Sequence, residues 1–174
     1  PNRAIADRIV KYVPNNADFS YNAEDIQAFF AEKDIKTLLV INPDNPSGNF
    51  IPVSDLRTLI TWTHEHGITM IVDESFVDFT DGFEENSLLH NSVLENHDNL
   101  VVVKSISKSY GVPGLRLGVL ASGDKELIAR MKKEVAIWNI NSFAEFYMQI
   151  YGKYEKDYTV ACHRFIKERN IFFE

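Results

Sequence analysis

The sequence predicts an α/β fold with three layers, in which helices cover both faces of a mainly parallel sheet that contains one antiparallel strand. Strand-like apolar runs alternate with amphipathic helical stretches, and this alternation favours right-handed parallel crossovers. Only about eleven residues without a helix separate the last two strand-like runs. Because that length is too short for a crossover, we expect the final strand to run antiparallel. The 174 residues, 45% of them hydrophobic, suffice for one core.

Local patterns place each element in turn. Strands are predicted where aliphatic and β-branched residues run together, at residues 7–13, 37–41, 68–72, 100–103 and 115–121. Helices are predicted where apolar residues recur at helical spacing, at residues 23–33, 54–66, 86–96, 124–135 and 142–170, the last with a break near Gly152. The uninterrupted apolar run at 37–41 indicates a strand covered on both faces. Ser54 is expected to cap its helix and Gly67 to end it.

Composition argues against several classes of function. The net charge is −7 and the 18 basic residues are scattered, which is not the pattern of a nucleic-acid-binding surface. No apolar run approaches the length of a membrane span, and no signal peptide pattern opens the chain. Cys162 is the only cysteine, which rules out an intrachain disulfide and favours a reducing compartment. We therefore expect a cytoplasmic protein that uses neither nucleic acid nor membrane as a partner.

A polar, glycine-rich connection joins the last two predicted strands and contains Lys108. Lys108 and Arg116 could be solvated loop residues, which is the usual role of a lysine near a turn. Ser105 and Lys108 also have the Ser-x-x-Lys spacing of penicillin-binding enzymes, but the Ser-Asp-Asn and Lys-Thr-Gly tripeptides of those enzymes do not occur here. The third interpretation is a lysine that forms a Schiff base, with hydroxyl and guanidinium groups that hold a phosphate.

Polar residues follow three successive predicted strands. Asn45 follows the strand at 37–41, Asp73 follows the next, and Ser105 to Lys108 follow the third. Ligands bind outside the carboxyl ends of parallel strands, so these groups should converge at one edge of the sheet. Each residue alone has an ordinary structural role as a turn former, a cap or a surface residue. Their coincidence at three strand ends favours a binding site.

This donor set fits one kind of ligand particularly well. A pyridine ring that carries an aldehyde and a phosphate would use a carboxylate at its ring nitrogen and a lysine at its aldehyde. Hydroxyls and an arginine would hold its phosphate. The predicted cofactor is therefore pyridoxal 5'-phosphate, and no metal site is expected.

Three separated motifs resemble, in order and spacing, those of the class I/II pyridoxal-phosphate aminotransferases of the aspartate aminotransferase fold. They are Asn42-Pro43-x-Asn45-Pro46-Ser47-Gly48, then Asp73-Glu74-Ser75-Phe76, then Ser105-x-Ser107-Lys108 with Gly114-x-Arg116-x-Gly118. The nearest resemblance is to the histidinol-phosphate aminotransferase and threonine-phosphate decarboxylase branch, which Trp138-Asn139-Ile140-Asn141-Ser142 also suggests.

The resemblance implies a role for each candidate residue. Lys108 would form the internal aldimine, and Asp73 would pair with the pyridine nitrogen. Asn45 would bond the ring hydroxyl oxygen, beside which Phe76 would also lie. The phosphate would be bound by Ser105, Ser107 and Arg116.

Departures from the family pattern bear on these roles. Phe76 stands where most aminotransferases of this type have Tyr, so one hydrogen bond to the ring oxygen is missing, as in the decarboxylase branch. Ser47 replaces the usual Thr. The family's amino-terminal phosphate loop and its carboxyl-terminal small domain, with the substrate-binding Arg, have no counterpart in this sequence. We therefore expect residues 1–174 to be the central part of the cofactor-binding large domain of a longer polypeptide.

Three hypotheses about function remain. The first is a pyridoxal-phosphate aminotransferase acting on an amino acid and a 2-oxo acid, as a homodimer in its full-length form. The second is a threonine-phosphate decarboxylase-like enzyme, and the third is a non-catalytic module that keeps the fold. Retention of Asn45, Asp73, Lys108 and Arg116 together argues against the third. His64 and His66 do not share a helix face as a metal pair would, and no dinucleotide or P-loop motif occurs.

Overall fold

A computed structural model describes residues 7–174, which form a four-stranded sheet surrounded by helices. The strands are β1 (Thr37–Ile41), β2 (Thr69–Asp73), β3 (Leu100–Ser105) and β4 (Gly118–Ser122), and they are ordered β1-β2-β3-β4. The first three are parallel and β4 is antiparallel to β3. The predicted mixed sheet with one antiparallel strand is thus confirmed.

Eight helices accompany the sheet in the described part of the chain. Four of them have eight or more residues and lie close to their predicted positions: α1 (Ala23–Phe30), α2 (Val53–Glu65), α6 (Lys125–Glu134) and α7 (Ser142–Tyr151). A fifth long helix, α8 (Glu155–Phe173), follows α7 after the predicted break at Gly152. The remaining three are single turns: α3 (Phe83–Asn86), α4 (Asn91–Leu94) and α5 (Ile106–Ser109).

Side-chain caps fix where the long helices begin. Asn22 and Asp25 form a capping box at the start of α1, each side chain accepting the other's backbone N–H at 2.9 Å. Asp124 caps α6 by accepting two backbone N–H groups, and Asn141 caps α7. These short polar residues satisfy N–H groups that a helix start otherwise leaves without a partner.

The main core lies between one face of the sheet and helices α1 and α2. Alternate residues of β1, β2 and β3 point to this face, as the period of two in a strand requires. They pack against Leu56, Leu59 and Ile60 of α2, which are spaced as one helical stripe and are at most 1% exposed. The strand residues of this core are Leu38, Val40, Met70, Val72, Leu100 and Val102.

The strand predicted at 7–13 is wrong. Asp7 and Arg8 form a short 3₁₀ turn and the following residues are irregular, with Val13 70% exposed. No strand of the described sheet pairs with this segment. Tyr12 instead packs its ring edge-on against Tyr21 and Phe29, at centroid distances of 5.8 and 5.2 Å.

Two helix predictions also need correction. Ser54 does not cap α2, because the helix already begins at Val53 and the Ser54 hydroxyl donates to Asp55 instead. The helix predicted at 86–96 is reduced to the single turn α4. The buried carboxylate of Glu74 accepts the Ser87 hydroxyl at 2.6 Å and the Leu88 N–H at 2.8 Å, which holds this segment outside a helix.

Strand β1 is covered on one face only, against expectation. Leu38 and Val40 are buried, whereas Leu39 between them is 60% exposed. The reason is that α1 and α2 both pack on the Leu38 side. Within residues 7–174, no helix has the length and apolar character needed to cross a membrane.

Candidate active site

The register of the sheet aligns the carboxyl ends of the three parallel strands. Ile41 pairs with Asp73, and Asp73 pairs with Val103, so the segments that follow β1, β2 and β3 leave the sheet at one edge. A pocket of about 340 Å³ opens there. Three predicted site residues line it, from three different elements: Asp73, Ser105 and Arg116. Of the groups expected to converge from the strand order, Asp73 and Ser105 line this pocket, whereas Asn45 and Lys108 do not.

The carboxylate of Asp73 is held by Ser75, two residues further along the chain. The backbone N–H of Ser75 donates to Asp73 Oδ1 at 3.0 Å, and the Ser75 hydroxyl donates to the same oxygen at 2.5 Å. The Ser75 oxygen in turn accepts the backbone N–H of Ser105 at 2.9 Å. The carboxylate at the end of β2 is thereby fixed relative to the end of β3.

Lys108 lies on α5, directly after β3, and its side chain is exposed. Its Nζ stands 4.7 Å from the centroid of the Phe76 ring, within the range of a cation–π contact. Among residues 7–174, no carboxylate lies within 4.0 Å of this amine. Neither Lys108 nor Phe76 lines the pocket, but their contact joins the segments that follow β2 and β3.

Arg116 adopts a backbone conformation that is rare for a residue with a side chain. Its φ is 55°, in the left-handed region, which costs about 1–3 kcal/mol for a residue other than glycine. Among residues 7–174, its guanidinium makes a single, long hydrogen bond of 3.4 Å to the Pro113 carbonyl. Such strain is typical of functional sites, and here it occurs at a residue that lines the pocket.

Ser107 is buried, and its hydroxyl already serves the backbone. The Leu117 N–H donates to its oxygen at 2.9 Å, while the hydroxyl donates to the Leu117 carbonyl at 3.2 Å. This pair fixes the turn that carries Lys108 against the turn that carries Arg116. A phosphate accepts hydrogen bonds, so to bind one the Ser107 hydroxyl would have to redirect its single proton from the Leu117 carbonyl. The predicted phosphate role of Ser107 stays a prediction.

Asn45 is exposed, on the loop between β1 and α2, and does not line the pocket. That loop is closed by Asn42, which is 2% exposed and bonds both backbone groups of Ile51, at 3.0 and 2.8 Å. The role predicted for Asn45 stays a prediction. In the sequence analysis, Asn42 is only the first residue of a motif, with no role of its own.

A buried ion pair lies beside the pocket, which Lys104 helps to line. Lys104, on β3, donates to Asp78 at 2.7 Å, and both side chains are more than 90% buried. The Tyr158 hydroxyl of α8 donates to the other oxygen of Asp78, also at 2.7 Å. Burial raises the pKa of Tyr158 far above its ordinary value, so this phenol remains a donor at physiological pH.

Glu74 lies next to Asp73 in sequence, just after β2, but does not line the pocket. It is 2% exposed, and burial raises the pKa of its carboxyl, although the hydrogen bonds from Ser87 and Leu88 partly oppose that rise. Its contacts hold the segment before α4 rather than the pocket. Within residues 7–174 we find no group of three His, Cys, Asp or Glu side chains placed to hold a metal ion.

Sequence reasoning missed the functional contacts of Ser75, Asp78, Lys104 and Tyr158. Only Ser75 left a signal in the sequence. An Asp whose side chain accepts the N–H of the residue two positions later forms a common turn, and Asp73 and Ser75 have that spacing. The other three residues come together from positions as far as 80 apart.

Comparisons with known proteins indicate the family to which the sequence is similar. The sequence model of the family described as "Aminotransferase class I and II" matches residues 3–169. The chain is 34% identical to CMP-5'-(3-aminopropyl)phosphonate synthase of Streptomyces rubellomurinus over 91% of its own length and 25% of the relative's. It is 31% identical to L-serine phosphate decarboxylase of Sulfurospirillum multivorans over 95% of its own length and 43% of the relative's.

A solved structure of a similar protein has the same fold. The crystal structure of histidinol-phosphate aminotransferase from Clostridium acetobutylicum superimposes with a TM-score of 0.77 at 27% identity, covering 94% of this chain and 48% of that one. The resemblance to histidinol-phosphate aminotransferases and to decarboxylases of phosphorylated amino acids is thus confirmed. The chain spans less than half the length of each of these three relatives.

Proposed function

Because the chain belongs to the aminotransferase class I and II family, we propose that it carries the pyridoxal-phosphate site of an aminotransferase. In this proposal Lys108 bonds the cofactor aldehyde, and the enzyme transfers an amino group from an amino acid to a 2-oxo acid or a related carbonyl. The observation that carries the proposal is the pocket at the strand ends, lined by Asp73, Ser105 and Arg116, with Lys108 in the adjoining turn.

The residues present fit the chemistry of this cofactor. A protonated ring nitrogen needs an acceptor, and the half-buried Asp73 carboxylate supplies one. A phosphate needs a cation, and the Arg116 guanidinium has no carboxylate within 4.0 Å among the described residues. An aldehyde needs a primary amine, and Lys108 supplies one that is exposed and likewise unpaired. Asn45, Phe76, Ser105 and Ser107 are proposed to complete the cofactor site.

Each residue then has a task that its position supports. When bound, the pyridine ring withdraws electrons from the bonds at the substrate α-carbon. Asp73 keeps the proton on the ring nitrogen, and Arg116 and Ser105 hold the phosphate. Lys108 Nζ removes the proton from the substrate α-carbon as a general base and later delivers it as a general acid.

A second candidate function is decarboxylation of a phosphorylated amino acid. Two observations favour it: Phe76, which has no hydroxyl to offer the cofactor, and the 31% identity to a serine phosphate decarboxylase. The orientation of the substrate selects between the reactions, because the bond held perpendicular to the ring plane is the one that breaks. The residues that orient the substrate carboxylate are not among the candidates of this chain.

The setting of the chain is also a proposal. We propose that it is the central part of the cofactor-binding large domain of a longer polypeptide, as its partial coverage of the relatives supports. The complete enzyme would act on small-molecule substrates as a homodimer in the cytoplasm.

The test is covalent labelling of the complete protein with pyridoxal phosphate. We expect a visible absorbance band, and borohydride reduction should attach the cofactor to Lys108, as peptide mass spectrometry would show. Lys108→Ala should abolish the absorbance band and the labelling. The control is Lys125→Ala, at an exposed lysine of α6, which should change neither. Labelling that survives Lys108→Ala would disprove the assignment. Release of carbon dioxide, rather than formation of a 2-oxo acid from an amino acid, would identify the decarboxylase.

A further inference from the structure

Ser75 connects the two strand ends that carry Asp73 and Ser105. Its side chain is enclosed, with the residue only 3% exposed. Its hydroxyl donates to Asp73 Oδ1 and accepts the N–H of Ser105, at 2.5 and 2.9 Å. The hydroxyl therefore donates to Asp73 at the end of β2 and accepts from Ser105 at the end of β3.

The contacts of Ser75 distinguish the two oxygens of Asp73. Oδ1 accepts two hydrogen bonds from Ser75, one from its backbone N–H and one from its hydroxyl. Within residues 7–174, no protein donor lies within hydrogen-bond distance of Oδ2. Rotation of the carboxylate would break both bonds to Oδ1, so one oxygen is fixed to the protein and the other is left for a ligand.

We infer that Ser75 is a positioning residue for the ring nitrogen of the cofactor. It acts through Asp73, by holding Oδ1 so that Oδ2 remains oriented toward that nitrogen. The inference rests on the proposed function, and it gives a role to a residue to which the sequence analysis assigned none. Ser105 supports it from the other side, because its N–H fixes the direction in which the Ser75 hydroxyl points.

A purely structural role for Ser75 is the alternative, and Ser87 provides a matched control. The Ser87 hydroxyl also donates to a carboxylate, that of Glu74 at 2.6 Å, and also accepts a backbone N–H, that of Leu89 at 3.1 Å. Ser87 is outside the pocket. Ser87→Ala therefore removes the same kinds of hydrogen bond without touching Asp73.

The experiment compares two probes on the complete protein. One is pyridoxal phosphate, and the other is its analogue with a CH group in place of the ring nitrogen. The ratio of their dissociation constants reports the contact between Asp73 and the nitrogen, and wild type should favour the natural cofactor by roughly 10-fold or more, the size of one charge-assisted hydrogen bond. Ser75→Ala should reduce this preference to within about threefold, and Ser75→Thr, which keeps the hydroxyl, should restore it. Ser87→Ala should leave it unchanged.

The outcomes separate the inference from the function on which it rests. If wild type does not bond pyridoxal phosphate through Lys108, the proposed function fails and this inference fails with it. The inference alone is overturned if wild type shows the preference and Asp73→Ala removes it, but Ser75→Ala retains it. Should Ser75→Ala not fold, Ser75→Cys replaces it, since a thiol is a weak donor of similar size. Full preference in Ser75→Cys would equally overturn the inference.

Discussion

At the scale of single residues, Phe76 contacts the proposed reacting amine. Its ring centroid lies 4.7 Å from Lys108 Nζ, and the ring is half-buried beside Phe79. The aminotransferases that this sequence resembles mostly have Tyr there, whose phenol donates a hydrogen bond to the ring oxygen of the cofactor. Phe76 cannot do so, which leaves that oxygen to the remaining donors.

Phe76→Tyr should change the pH response of the bound cofactor. A phenol that donates to the anionic ring oxygen favours the deprotonated form of the linkage between Lys108 and the cofactor. Hydrogen bonds to charged groups are worth about 1.5–3 kcal/mol, and a pH unit corresponds to about 1.4 kcal/mol. Allowing for compensation by Asn45, the midpoint should fall by about one pH unit. The measurement is a pH titration of the visible absorbance in the complete protein.

Phe79→Tyr is a suitable control for that titration. Phe79 lies three residues further along the same segment and packs on Phe165 of α8, whereas the ring that Lys108 Nζ faces is that of Phe76. The midpoint of this variant should stay at the wild-type value. An unchanged midpoint in a folded Phe76→Tyr protein would show that position 76 does not face the ring oxygen.

At the scale of elements, α8 supports the two segments that carry the candidate residues. The Tyr158 ring stacks on Tyr110, with centroids 4.0 Å apart, and Tyr110 directly follows α5. The Tyr158 hydroxyl binds Asp78, two residues after Phe76. Further along the helix, Arg169 donates to the Phe79 carbonyl and to Asp81. One helix thus holds the segments after β2 and after β3 together.

Loss of the Tyr158 contacts should weaken this support. Tyr158→Leu removes the stack on Tyr110 and the bond to Asp78, so the free energy of unfolding should fall by about 2–4 kcal/mol. Tyr158→Phe keeps the stack and should cost roughly 1.5–3 kcal/mol. Urea denaturation followed by circular dichroism would measure both. Tyr154→Leu, at the exposed residue directly before α8, should change stability by less than about 0.5 kcal/mol. Equal stability of the Tyr158→Leu and Tyr154→Leu proteins would contradict the support by α8.

At the scale of the whole molecule, the described chain holds one part of the proposed site. Apolar side chains of the sheet remain exposed, including Leu39, Val119 and Leu120 at 60%, 39% and 40%. The relatives are two to four times as long as the chain, which covers 25% to 48% of them. In the proposed longer polypeptide, the family's phosphate loop and its substrate-binding Arg would come from residues outside this sequence.

The isolated 174-residue chain should therefore fold but not catalyse a reaction. We expect it to bind pyridoxal phosphate weakly, because Arg116 and the hydroxyls would hold the phosphate without the family's loop. Incubation with amino acids and 2-oxo acids should give neither transamination nor carbon dioxide above the rate with free cofactor. The complete polypeptide assayed in parallel is the control. Turnover by the isolated chain would show that its own residues suffice.

The sequence by itself determined the alternation of strands and helices, the direction of the strands and the set of polar residues that follow them. Aliphatic runs, helical spacing and the short connection before β4 are local features, so the mixed sheet could be predicted from them. Because parallel strands end at one edge, the proximity of Asp73 and Ser105 could also be predicted, whereas Asn45, predicted with them, does not line the pocket. The segment at 7–13 was misjudged, because apolar residues form a strand only where a neighbouring strand accepts their backbone hydrogen bonds.

Only the tertiary structure decided how the site is held. The Lys104–Asp78 pair and the Tyr158 hydroxyl join residues 26 and 80 positions apart, and no local pattern encodes such contacts. The exposure of Leu39 likewise depends on which face α1 and α2 cover, which an apolar run cannot specify. Ser75 shows the same limit at short range: its spacing from Asp73 suggests a turn, but the bond from Ser105 exists only because β2 and β3 are adjacent. Side-chain hydrogen bonds depend on distances between segments, and those distances are set by the packing of the whole chain.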